Sequence, residues 1–375
     1  MKGKIKILHL IAPTQFGGAE KVILSIAHAI DNTQFHLMVG SFVNIRFANN
    51  TFVEELEHRA IPNTVFWLKR TLDIDNIFRI VRFIRKNKID IIHTHGYRSD
   101  ILGLIAAKMT TRPIVSTIHG WIPINSRLRF YERCDRFALR FFDWLVPVSN
   151  QIRELLIESG IAPGKVTRLH NAVDVEIKQP KTEKLPSFNI VKRQGDFLIG
   201  TIGRLSPEKD IPNFLQTASL LVRKYDHLKF LVVGDGPERK NLETMAFDLG
   251  LKDKIQFTGF IDEIDSVYPL LDLLVISSRT EGIPLVLLEA MKYSIPVVST
   301  NVGGIGEVVD NGINGLLVSP DDVDELTKNL ELLIKNKKLY VRISIGARKK
   351  IENKFDRRIW IKKIEKIYRD QAVHY

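Results

Sequence analysis

The chain has 375 residues, 45% of them apolar and 26% charged, a length that suggests two domains at about 150 residues each. This composition excludes collagenous, low-complexity and disordered classes. The net charge of +12, from 55 Lys+Arg against 43 Asp+Glu, favours anionic partners: nucleotide phosphates, nucleic acid or acidic lipid. Cys134 has no cysteine to pair with, and no Cys/His group has zinc spacing, so a cytoplasmic location is expected. The opening MKGKIKILHLIAPTQ holds only a strand-length apolar run, so no secretory leader is read there. No stretch approaches the ~20 uncharged apolar residues of a membrane span.

Taken in chain order, strand-like apolar runs alternate with helical patterns. The first half places strands at Ile5–Ile11, His36–Ser41, Ile89–His93, Ile114–Ile118, Leu145–Val148 and Val166–Leu169. Amphipathic segments lie between them, among them Glu20–Ile30, Asp75–Lys88, Tyr97–Met109 and Ser149–Gly160. The second half places strands at Phe197–Ile202, Lys229–Val233, Ile255–Phe257, Leu273–Ile276, Pro296–Ser299 and Gly315–Val318. Continuous Val/Ile/Leu strands interleaved with helices indicate parallel sheets covered on both faces, an α/β fold. The alternation breaks once, over the polar, Pro-containing stretch Glu176–Asp196. Residues 1–177 and 197–354 are therefore read as two Rossmann-like domains joined by a linker at 178–196. A basic amphipathic helix within 355–375 is expected to pack back on the first domain.

Ligands of open parallel sheets sit at the carboxyl ends of the strands, and four constellations fall there. Gly17–Gly18 links the first strand to a helix; it is either a tight turn or a place where backbone approaches a phosphate. GRLSPEKD, Gly203–Asp210, sets Arg204 and Lys209 on one loop, where they either converge on a diphosphate or lie solvated. Glu281–Glu289 begins after the strand Leu273–Ile276, with Pro284 suited to a first helical turn and Gly282–Leu285 offering backbone amides. Glu281 would repel a diphosphate, so it suits sugar hydroxyls; the bland alternative is a carboxylate serving the helix dipole. In STIHGW, Ser116–Trp121, His119 ends a buried strand as a site candidate or as a structural histidine. His93 and His95 in HTHG lack a third ligand at recognisable spacing, so no metal site is expected. Asp73 and Asp75 are read as helix caps rather than as a metal-binding pair.

These residues together resemble the retaining GT-B glycosyltransferases of family 4, over nearly the whole chain and in the expected order. The resemblance runs through GGAE at Gly17–Glu20, HTHG at His93–Gly96, TIHG at Thr117–Gly120, VPVSN at Val146–Asn150 and HNAVD at His170–Asp174. It continues through GRLSPEKD, VVGDGPE at Val232–Glu238, TGF at Thr258–Phe260, the E-x7-E pair Glu281 and Glu289, and VGGIGEVV at Val302–Val309. The resemblance implies two Rossmann-like domains facing each other across a cleft. It implies transfer of a sugar from a nucleotide-sugar donor to a glycan or lipid-linked acceptor, with the anomeric configuration kept. Polysaccharide or lipopolysaccharide assembly is the implied setting, with no cofactor and no metal. Arg204 and Lys209 would neutralise the leaving diphosphate, and Glu281 with the Gly282, Ile283, Pro284 and Leu285 segment would hold the donor sugar. Glu289 would accept the ribose hydroxyls, the Thr258–Ile261 backbone with Gly259 and Phe260 would hold the base, and Gly203, Gly234 and Asn171 would line the donor site. His119 and the Gly17–Gly18 turn would act from the first domain. Ala172 and Asp210 stand where the family often carries glycine.

Three alternatives compete: a GT-B sugar-nucleotide epimerase or phosphorylase, a non-enzymatic two-lobed sugar-binding protein, and a nucleic-acid binder. The last is suggested by charge alone, without any nucleic-acid-binding motif, so no nucleic-acid partner is expected. Contact with an anionic membrane is a separate expectation. Arg127–Phe142 sets Arg129, Arg133, Arg136 and Arg140 in a stripe beside Phe130, Cys134, Phe137 and Phe141, and Arg79–Lys88 carries five basic residues. The alternative there is an apolar stripe buried in the core.

Overall fold

The computed structural model describes residues 3–13, 17–45, 50–69, 73–120, 126–177, 195–261 and 263–373. The side chains of 126–128, Trp121 and the linker residues 178–194 lie outside the described residues. The chain divides into two units, Met1–Asn171 with Arg357–Tyr375, and Ala172–Asp356.

The first unit holds a six-stranded parallel sheet of β1 (Ile5–Ile11), β2 (Phe35–Asn44), β3 (Asn63–Leu68), β4 (Ile91–His95), β5 (Ile114–Ile118) and β6 (Trp144–Pro147). Their order is β3-β2-β1-β4-β5-β6. The second unit repeats the plan with β7 (Phe197–Ile202), β8 (Leu228–Val233), β9 (Ile255–Gly259), β10 (Leu273–Ile276), β11 (Val297–Thr300) and β12 (Leu316–Val318), ordered β12-β11-β10-β7-β8-β9. Both are therefore Rossmann-like sheets whose order reverses beside the first strand, at β1/β4 and at β7/β10.

Apolar patterning builds the layers. In the helix Asp75–Asn87, Ile77, Ile80, Val81 and Ile84 recur at helical spacing and are buried, while Arg79, Arg82, Arg85 and Lys86 face solvent. Each buried aliphatic side chain contributes about 1.5–3 kcal/mol of transfer free energy. The helix stops at Lys88, which adopts the left-handed conformation (φ 55°). The helix Arg357–Val373 packs on β1, β4 and the helix Gly18–Ala29, burying Trp360, Ile361, Ile364 and Tyr368.

Four local readings are corrected. Val166–Leu169 is not a strand: Val166 makes an isolated bridge to Leu145 and no ladder follows. NTVFWL forms β3 instead, an edge strand missed because half of its residues are only partly buried and its period is weak. The helix Thr51–His58 also went unread. Asp73 does not cap the helix that follows; its Oδ2 accepts from Lys69 N at 3.1 Å, and Ile74 occupies the cap position without a side-chain bond. Among the described residues no helix is long and apolar enough to cross a membrane.

Candidate functional site

Open α/β sheets take ligands in the crevice outside the strand ends where the order reverses, and in the second unit that point falls between the loops leaving β7 and β10. Lys209 Nζ, on the first loop, lies 2.6 Å from Glu281 Oε1 on the second. Ser278 Oγ donates to the same carboxylate oxygen at 2.7 Å. The loops are also tied through their backbones: Ser277 Oγ donates to Lys209 O at 3.0 Å, and Arg279 N donates to Glu208 O at 2.9 Å. The Glu281 side chain is 9% exposed and that of Lys209 24%, so the pair is reached by solvent from the lysine side. Lys209 is thus already partnered by Glu281 rather than standing alone. Arg204 is exposed, with no ion pair among the described residues.

Asp210 shows why this chain departs from glycine at that position. Its backbone is left-handed (φ 46°), which favours glycine but is tolerated by aspartate. The carboxylate gains an ion pair with Arg279 at 3.2 Å, and Arg279 reaches on to Asp321 at 2.7 Å. Burial raises the Asp210 carboxyl above its ordinary range, while Arg279 opposes the shift.

Glycine is required for packing at two places near the crevice. A Cβ on Gly234 (φ 128°) would sit 1.9 Å from Gly203 O, because the ends of β7, β8 and β9 close on one another. Gly203 N donates to Val233 O and Gly234 N to Gly259 O, both at 2.9 Å. A Cβ on Gly303 (φ 58°) would sit 1.7 Å from Glu281 O, so Gly303 sets the path of the Glu281 loop. Gly304 N then donates to Gly282 O at 2.8 Å. Gly303 lies within VGGIGEVV, where the doubled glycine is the signal the sequence offers for this close approach.

Glu289 lies in the helix Leu285–Lys292, which starts behind Pro284 with Ile283 buried beside it. Its Oε2 accepts from the buried Tyr268 hydroxyl at 2.6 Å. Burial, with the Glu289 charge adding to it, pushes the Tyr268 phenol well above its usual range. Tyr268 stacks on Tyr293 at 5.4 Å, and Tyr293 donates to Asp265 at 3.0 Å. Tyr268 is a contact that no spacing rule finds, since it meets Glu289 through the fold, whereas Ser278 stands only three residues before Glu281. Phe260 follows β9 with 52% of its surface exposed.

In the first unit, Gly17 caps the helix Gly18–Ala29, and its N–H donates to Glu20 Oε2 at 3.1 Å. Burial pushes the Glu20 carboxyl up to about 7, against the pull of its backbone bonds. A Cβ on Gly18 would meet nothing within 4 Å, so internal packing does not demand glycine there. Asn171 is buried at the last position of this unit. His119 is partly buried just beyond β5, its Nε2 3.4 Å from His95 Nδ1. Burial holds the His119 imidazole down to about 4, so it is neutral at pH 7.

The sequence offers His93 and His95 no third ligand, but the fold supplies His9, the register partner of His93 on β1. Nitrogens of the three rings lie within 4.8 Å of one another. The rings stack, however, at 19° between His9 and His95 and 21° between His93 and His95. Stacked rings do not aim their lone pairs at one centre, as a tetrahedral metal ion requires.

Two family models match successive parts of the chain: "Glycosyltransferase Family 4" over residues 16–177 and "Glycosyl transferases group 1" over residues 184–350. The chain belongs to the GT-B glycosyltransferases. The Escherichia coli UDP-Gal:alpha-D-GlcNAc-diphosphoundecaprenol alpha-1,3-galactosyltransferase is 26% identical over 99% of this chain and 98% of its own length. The Staphylococcus aureus capsular polysaccharide biosynthesis glycosyltransferase CapM is 25% identical over 79% of this chain and 80% of its own. Anabaena HepE, crystallised with UDP-glucose, matches with a TM-score of 0.84 over 97% of this chain and 99% of its own, at 24% identity, which shows the fold. In this glycosyltransferase the first model spans GGAE, HTHG and TIHG, and the second spans GRLSPEKD, E-x7-E and VGGIGEVV.

Proposed function

We propose that this glycosyltransferase moves a sugar from a UDP-sugar to a lipid-linked glycan during cell-surface polysaccharide assembly, with retention of anomeric configuration. The observation that carries the proposal is the Lys209–Glu281 pair across the divergent loops of β7 and β10. It sets a cation and a carboxylate side by side where a diphosphate and its sugar would adjoin. Breaking the sugar–phosphate bond builds an oxocarbenium-like centre and extra charge on phosphate. Arg204 and Lys209 serve that charge in place of a metal ion. Glu281 and the 282–285 segment hold the sugar, Glu289 the ribose, and Phe260 with Gly259 the base. Gly203 and Gly234 shape the donor site in the second unit, and Asn171, His119 and the Gly17–Gly18 turn are assigned to the reaction from the first unit through the family motifs that carry them. The acceptor hydroxyl attacks from the side on which the phosphate leaves, and the departing phosphate oxygen takes its proton. UDP and an undecaprenyl-diphosphate acceptor are named by the E. coli relative, and UDP-glucose by the HepE complex.

Acceptor choice agrees with one surface of the first unit. Phe130, Phe137 and Phe141 are 62, 60 and 50% exposed, while Ala138, Leu139 and Phe142 form the buried side. The aromatic stripe therefore faces outward, beside the exposed Arg129, Arg133 and Arg140. Peripheral docking on anionic lipid at the inner face of the membrane is the reading this supports, at ~1 kcal/mol per basic residue near the surface. Incubating the protein with UDP-sugars and an undecaprenyl-diphosphate glycan, in EDTA, tests the whole proposal. Product with the donor's anomeric configuration is expected. Inverted product, turnover without acceptor, or activity that needs added manganese or magnesium would overturn its respective part.

A further inference from the structure

The buried histidines of the first unit form an unbroken hydrogen-bonded row. Thr117 Oγ1 lies 2.8 Å from His93 Nε2, and His93 Nδ1 lies 2.7 Å from Tyr368 Oη. Tyr368 Oη lies 3.0 Å from His9 Nε2, and His9 Nδ1 lies 3.0 Å from His95 Nε2. His95 Nδ1 then meets His119 Nε2 at 3.4 Å, the loosest link. Sheet register explains the row: His9 pairs with His93 across β1 and β4, and His95 pairs with Thr117 across β4 and β5. Tyr368 is inserted from the helix Arg357–Val373 and is fully buried.

A neutral imidazole carries one proton, so each ring in such a row must accept at one nitrogen and donate at the other. The whole row can run in only two directions. Burial lowers the pKa values of all four imidazoles and raises that of the Tyr368 phenol, which keeps every member uncharged. Thr117 decides between the directions. Its hydroxyl is buried, and among the described residues its one partner is His93 Nε2. If His93 Nε2 were the donor, the threonine proton would be buried without an acceptor, which disfavours that direction by about tenfold or more. In the other direction Thr117 donates to His93, His93 Nδ1 to Tyr368, Tyr368 to His9 Nε2, His9 Nδ1 to His95, and His95 Nδ1 to His119 Nε2.

We infer that this row holds His119 as its Nδ1–H tautomer, so that His119 presents a hydrogen-bond donor rather than a base to a ligand site at the carboxyl end of β5. The inference rests on the proposed placing of His119 at that site. Thr117 and Tyr368 are positioning residues: neither touches substrate, and both act through the imidazoles between. The row also gives the closing helix a role in the site through one hydroxyl.

Two-bond proton–nitrogen NMR of the full-length protein labelled with 15N-histidine reads the tautomers directly, with His119→Gln assigning the His119 signal. His9, His93, His95 and His119 are all expected as Nδ1–H forms. An Nε2–H signal for His119 in the wild-type protein overturns the inference without any variant. Thr117→Val removes the deciding proton, so His119 becomes a mixture. Tyr368→Phe cuts the row in the middle, so His93 keeps its form while His9, His95 and His119 lose theirs. With half the molecules in the donor form, kcat in Thr117→Val falls about twofold while KM for the donor stays put. An unchanged His119 tautomer in both variants also overturns the inference. Full transfer by His119→Ala would refute the functional placing of His119 and leave the tautomer result standing.

Discussion

Replacing Glu281 and replacing Glu289 should have opposite effects on nucleotide affinity. Glu281 Oε1 sits 2.6 Å from Lys209 Nζ, a charge-assisted bond of about 1.5–3 kcal/mol where water is excluded. With 24% of the Lys209 side chain exposed, water replaces part of that bond, and about 1 kcal/mol is a fair net value. Glu281→Ala leaves Lys209 unpaired and removes a negative charge beside the diphosphate. UDP affinity should therefore stay level or rise about fivefold. Turnover should nevertheless drop severely, because the bonds that orient the sugar are lost as the anomeric bond breaks. On the proposed placing of the donor, Glu289→Ala removes charge-assisted bonds to the ribose, and it leaves the buried Tyr268 hydroxyl without its 2.6 Å acceptor. Both UDP and intact donor should bind about tenfold weaker or worse. Calorimetric titration of each variant with UDP and with UDP-sugar, beside kcat, separates the two roles. If Glu281→Ala loses UDP affinity as much as Glu289→Ala does, the division of labour is wrong.

Lys209→Ala should weaken UDP far more than uridine; equal losses in parallel titrations would mean that Lys209 serves only as the partner of Glu281. Phe137→Asp with Phe141→Asp should abolish low-salt co-sedimentation with anionic vesicles, and a wild-type protein that stays in the supernatant would remove the docking surface. Burial holds His9 down to about 3 and His119 to about 4, with His93 and His95 also well below 6.5. Between pH 6.5 and about 4 the unfolded chain thus binds protons that the folded chain refuses, so stability is lost as the pH drops, by about 1.4 kcal/mol per unit for each imidazole. Glu20, pushed up to about 7, and Asp100, raised by burial and Asp135, act in the opposite sense, as do Asp210 and Glu132, but arginines oppose the last two shifts and the four buried imidazoles outweigh the carboxyls. The urea midpoint should be lower at pH 5 than at pH 7; equal midpoints would contradict the burial of these rings as neutral groups.

Periodicity alone determined the α/β class and the repeated strand–helix plan, because buried parallel strands must be apolar on both faces. It also placed most of the site residues on loops at strand ends, and the order of the motifs carried the family resemblance. Edge strand β3 escaped because half of its residues are only partly buried, so its pattern weakens. Only the tertiary structure paired Lys209 with Glu281 and Tyr268 with Glu289, since sequence distance says nothing about which loops a strand order brings together. It alone made Asp210 an ion-pair partner at a left-handed position that sequence reading marked only as a missing glycine. The same holds for the histidines. HTHG and TIHG are visible as motifs, but His9 joins them through strand register and Tyr368 through a helix more than 240 residues downstream of His119. A hydrogen-bonded row of that kind exists only when three strands and a helix pack together, because each member borrows its proton direction from a neighbour that the chain does not place beside it.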